Sequence, residues 1–121
     1  MLALCPSGEH HQARLLLFSL FLRKKGVDVI YLGPDTPEDG IRAIVEQQHI
    51  RVICLSLTNP NLMEPTFTFI DHIREACPEL AFVLGGQGFR NVPEPYVSWL
   101  IPNDNQVLWE RWFLESVWKL R

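Results

Sequence analysis

The chain has 121 residues, 47% apolar and 21% charged, which suits one domain with a packed core and excludes a disordered segment. Lys and Arg total 11 against 14 Asp and Glu, and the net charge of −3 leaves no broad basic footprint, so direct nucleic-acid binding is not expected. No apolar run reaches the length of a membrane span. Met1-Leu2-Ala3-Leu4-Cys5 lacks a basic flank and does not read as a secretory signal, so a cytoplasmic protein is expected.

Residues 1–5 form a short first strand, closed by Pro6-Ser7-Gly8. A helix follows from about His10 to Lys25, apolar almost all round, with Arg23-Lys24-Lys25 complementing its dipole and Gly26 ending it. Residues 27–32 are the second strand. Thr36 as N-cap, Pro37 at the first helical position and Glu38-Asp39 in the first turn then announce a second helix with Ile41, Ile44 and Val45 on one face. Residues 51–56 read as a buried parallel strand, 64–76 as a third helix, and 80–84 as a fourth strand stopped by Gly85-Gly86. Pro93 and Pro95 forbid a regular helix and leave room for one short turn; 96–101 is expected as a fifth strand and 105–120 as a closing helix.

This alternation predicts a single α/β domain over 1–121: a flavodoxin-like (Rossmann-like) five-stranded parallel sheet of order 2-1-3-4-5 flanked by helices. Ligands bind such sheets at the carboxyl ends of the strands, beside the point where strand order reverses. Glu9-His10-His11, Ser56-Leu57-Thr58 and Gly85-Gly86 all fall there. Cys5, Cys54 and Cys77 are odd in number and never spaced C-x-x-C, which argues against a disulfide framework or a zinc site. His49 and His72 lie outside the constellation and are expected to face solvent.

Glu9-His10-His11-Gln12-Ala13-Arg14, Ser56-Leu57-Thr58 and Gly85-Gly86 resemble the cobalamin-binding domain family, whose signature is Asp-x-His-x-x-Gly, then Ser-x-Leu, then Gly-Gly. Here 41 residues (15–55) separate the first block from Ser56, and 26 (59–84) separate Thr58 from Gly85; both intervals suit the family. Pro6-Ser7-Gly8-Glu9-x-His11, Tyr31-Leu32-Gly33-Pro34 and Gly85-Gly86-Gln87 look like the sensory domains of MerR-type, cobalamin-dependent transcriptional regulators.

The resemblance implies a non-catalytic sensor of adenosyl- or methylcobalamin. His11 would be the lower axial cobalt ligand and Glu9 its carboxylate partner, with His10 at the pocket rim. Ser56 and Thr58 would be hydrogen-bonding groups for the displaced nucleotide base, and Gly85, Gly86 and Gln87 would line the nucleotide tail. Arg14 stands where the family has glycine, and would either pair with the tail phosphate or obstruct the channel. The aromatic residues Trp109, Trp112, Phe113 and Trp118 of the last helix suggest an interface with a second copy or a partner regulatory protein. Other readings keep the fold: a haem-binding variant using His10 or His11, a corrinoid carrier for a methyltransferase or mutase, and a ligand-free interaction scaffold. Flavin or phosphate binding fits less well, because Glu9 in the first loop would repel phosphate.

Overall fold

Strands β1 (Leu2–Leu4), β2 (Ile30–Gly33), β3 (Val52–Ser56) and β4 (Ala81–Gly85) lie parallel in the order β2-β1-β3-β4. The computed structural model describes residues 1–9, 11–101 and 106–120, the side chains of 106 and 117–120 excepted. Every residue of β1 and β3 is buried, because both faces of the sheet are covered. Side chains alternate across it: Ile53 and Leu55 join one core cluster, Val52 and Cys54 the other.

Helices α2 (Glu38–Gln47) and α3 (Met63–Ala76) cover the first face, where Ile41, Val45, Phe67 and Ile70 meet Leu4, Leu55 and Leu84. Helices α1 (Ala13–Lys24) and α4 (Gln106–Leu120) cover the second, where Phe18, Leu22, Trp109 and Phe113 meet Ala3, Cys54 and Val83. Gly26, at φ +87°, ends the turn after α1, and the Arg23 guanidinium donates to the Val29 carbonyl at 3.0 Å. That bond ties the basic cluster to the fold.

Three expectations are corrected. Among the described residues the sheet has four strands, not five. Tyr96–Trp99 closes into a 3-10 turn, and the fifth strand shrinks to one parallel bridge, Leu84 with Leu100. Pro93 and Pro95 remove two ladder donors just before it, and Tyr96 stacks on Phe67 at 4.1 Å instead of extending. The second helix begins one residue later than read, with Pro37 extended at its N-cap and no side-chain cap from Thr36. The first begins at Ala13, so His11 stands in the loop before α1 rather than on its surface.

Cys5 and Cys54 are buried in the second core. Burial, then the charge of Glu9, pushes the Cys5 thiol up to about 11; burial, then Cys5, pushes Cys54 up to about 12. Both remain protonated and act as small apolar groups. The ring of His72 is more than half exposed and meets Glu38 at 3.2 Å, and His49 is exposed.

Candidate functional site

The sheet register assembles the site. Ser56 pairs with Gly85 across β3 and β4, so the two strand ends arrive side by side, next to the loop that follows β1. That loop carries Glu9. Its carboxylate is 1% exposed and reaches across 50 positions: Oε1 accepts from the backbone N–H groups of Thr58 and of Asn59, the latter at 3.1 Å. Oε2 faces His11, 3.5 Å from its backbone N–H and 3.4 Å from Nδ1.

One buried carboxylate therefore locks the β1 and β3 loops together and orients an imidazole. Burial opposes its ionisation, but the N–H groups of Thr58, Asn59 and His11 and the His11 ring outweigh that and hold the carboxyl below its ordinary range. A folded-state value below the unfolded one means that the stabilisation is complete above the unfolded pKa and fades as pH falls through the lowered folded value. Thermal melts between neutral pH and about pH 3 should show wild type losing more stability than Glu9→Gln, which at neutral pH is expected to be weaker by about 1–2 kcal/mol. Equal acid slopes would contradict this role.

The His11 side chain is 75% exposed. A carboxylate at Nδ1 favours the tautomer that carries its proton there, leaving the Nε2 lone pair available to a metal. Among the described residues no cluster of three or more His, Cys, Asp or Glu could enclose an ion. A single buttressed imidazole suits a metal that brings its equatorial ligands with it, as in a tetrapyrrole.

Ser56 is 4% exposed, and its hydroxyl oxygen is buried without a hydrogen-bond partner among the described residues. It lines a cavity of about 20 Å³ together with Arg14, Gly85 and Gly86, under Phe18 and Trp109. Arg14 thus stands at the same hollow as Ser56, while His11 does not line it.

The glycines serve the fold first. At Gly86, φ is +104° and a Cβ would stand 2.2 Å from the Leu57 carbonyl oxygen; at Gly88 a Cβ would meet Leu57 Cγ at 2.7 Å. The Leu57 N–H donates to Gly85 O at 3.0 Å and the Gly88 N–H to Leu57 O at 2.8 Å, so this close approach is built into the β3–β4 junction. Gly85 is covered by Ile101, whose carbons lie 3.2 Å from a Cβ placed there. These contacts by themselves require a glycine at 86. Gln87 is exposed and outside the cavity, its carbonyl accepting from Arg90 Nε at 3.3 Å, and Thr58 takes part through its backbone. His10 lies outside the described residues.

Sequence reasoning missed three supports. Gln12 Oε1 accepts from the Tyr31 hydroxyl at 2.6 Å, bracing the first loop on β2. Asp35 Oδ1 accepts from the Gly8 N–H at 3.2 Å. Asn59 Oδ1 accepts from the Asn61 N–H at 3.0 Å, opening the 3-10 turn at Pro60–Leu62, and here the Asn-Pro pair was a readable turn signal. The last helix buries Trp109 and Phe113 but leaves Leu114 exposed; the Trp118 side chain is outside the described set.

The chain is 34% identical over 86 residues to the HTH-type transcriptional repressor CarA of Myxococcus xanthus, a match covering 71% of this chain and 30% of that protein. Its fold is similar to a cobalamin-binding protein from Desulfitobacterium hafniense DCB-2, with a TM-score of 0.70 and 20% identity over 92% of this chain and 57% of that one. The chain therefore spans about a third of the curated relative and just over half of the structural one. The model of the B12 binding domain matches residues 1–107, and the chain belongs to that family.

Proposed function

We propose that this chain is a cobalamin-binding sensory module in which His11 supplies the axial nitrogen and ligand occupancy is passed to a transcriptional regulator. The observation that carries the reading is the buried Glu9 carboxylate aimed at an exposed imidazole. When bound, a corrin would supply a cobalt already held by its own ring nitrogens, and His11 would be the protein group that holds it. The residues present fit that demand: Glu9 holds the Nδ1 proton and the ring orientation, and Ser56 offers a buried hydroxyl without a partner.

Glu9 also supports the signalling part of the reading. The same carboxylate that orients His11 holds the Thr58 and Asn59 amides, so a pull on the imidazole would reach the loop that leads into the 3-10 turn at Pro60–Leu62. Similarity to a transcriptional repressor favours a regulator as the receiver.

The test is retention of colour. Purified protein mixed with hydroxocobalamin and desalted is expected to keep a corrin absorption spectrum in the protein fraction. A protein fraction left colourless by both hydroxocobalamin and diaquocobinamide would refute the reading, and a Soret band in protein as purified would favour haem instead.

A further inference from the structure

We propose that Arg14 and Trp109 form a gate over the Ser56 cavity, and that this gate makes the site prefer a corrinoid without a nucleotide tail, a cobinamide, over complete cobalamin. The inference rests on the corrinoid reading above.

Two hollows meet between α1 and α4. The deep one, about 20 Å³, holds the Ser56 hydroxyl; the outer one is an open groove of about 720 Å³ bordered by Leu17, Leu20 and Lys24. Arg14 and Trp109 line both, so they are the partition. A space of about 20 Å³ takes roughly one water beside Ser56, far less than a fused bicyclic base.

The other walls have nowhere to go. Cys54 and Ser56 belong to the central strand β3, Phe18 is 3% exposed, and Ile101 is seated against Gly85. Of the described residues that line the cavity, Arg14 and Trp109 alone also border the outer groove. Displacing Trp109, itself 8% exposed, breaks its edge-to-face pair with Phe18 at 5.0 Å and 74° and its contact with Phe21 at 5.7 Å. Losing one such pair is worth about tenfold in an equilibrium constant. A tail-free corrinoid avoids this cost, because His11 lies outside the cavity and can reach a metal without the gate moving.

The experiment is an absorbance titration of the purified chain with diaquocobinamide and with aquocobalamin, on wild type, Arg14→Ala and Trp109→Leu. Alanine keeps the helix propensity of α1, so Arg14→Ala decides the matter should the Trp109 variant fail to fold. Wild type is expected to bind cobinamide about tenfold more tightly or better, and the variants to narrow the gap by tightening cobalamin. Cobalamin binding as tightly as cobinamide in wild type would overturn the gate. So would a gap that Arg14→Ala leaves unmoved, or a loss of cobalamin affinity in Arg14→Ala, the result expected if the guanidinium holds the tail phosphate. Binding of neither corrinoid would overturn the corrinoid reading and the gate with it.

Discussion

His11→Ala should lower corrinoid affinity about 100-fold or more and abolish retention through desalting, while leaving the melting transition nearly unchanged. The ring is largely in solvent, so little packing is lost on its removal. What disappears is the side-chain nitrogen that Glu9 orients among the described residues. Glu9→Gln should produce a smaller, separable effect, about 10- to 100-fold in affinity, because a neutral amide no longer enforces the Nδ1–H tautomer or raises the basicity of Nε2. Equilibrium titration by visible absorption, with thermal melts alongside, separates the two variants. Equal affinity of His11→Ala and wild type would remove the axial role.

Gly86→Ala should be the most damaging single change to the fold. The backbone there has φ +104°, which L side chains rarely adopt, and the new methyl would stand 2.2 Å from Leu57 O, 2.9 Å from its carbonyl carbon and 3.0 Å from its nitrogen. All three are backbone atoms, so no rotamer change relieves the clash. The β3–β4 junction would have to open, with loss of the Leu57 to Gly85 and Gly88 to Leu57 hydrogen bonds. Strain and overpacking together are expected to cost about 3–5 kcal/mol. Gly40→Ala is the control: it lies within α2, its nearest neighbour would be Thr36 Cγ2 at 3.8 Å, and a gain of about 0.5–1 kcal/mol is expected. Urea unfolding monitored by circular dichroism measures both. A Gly86→Ala protein as stable as wild type would show that the junction is loose enough to take up the methyl group.

Much of the architecture is legible in local pattern. Residues 51–56 are apolar enough to demand cover on both faces, and the strand–helix alternation leaves a parallel sheet as the consistent solution. The fifth strand misled because residues 96–101 are apolar and β-prone, whereas their fate is decided by Pro93 and Pro95 upstream and by the Phe67 ring from another element. Thr36 failed as a cap for a local reason, since Pro37 already holds the extended backbone at the boundary.

The site divides the same way. Glu9 and His11 sit two residues apart, so their pairing is visible in sequence; the grip of Glu9 on Thr58 and Asn59 spans 49 and 50 positions and is not. Gly85-Gly86 was readable as a strand end, but only coordinates reveal the Leu57 backbone pressed against it. Arg14 was recognisable as a departure, and its place on the wall of the Ser56 cavity emerges from the packing of α1 against β3 and α4.

In the proposed site a protein imidazole, and not a base carried by the ligand, holds the metal. Electron paramagnetic resonance of the bound Co(II) corrinoid on protein labelled with ¹⁵N-histidine tests this directly, because the axial nitrogen splits the cobalt signal and the ¹⁵N nucleus changes the splitting pattern. The account predicts a pattern that changes on histidine labelling and vanishes in His11→Ala. A pattern indifferent to the label, in either corrinoid, would contradict it.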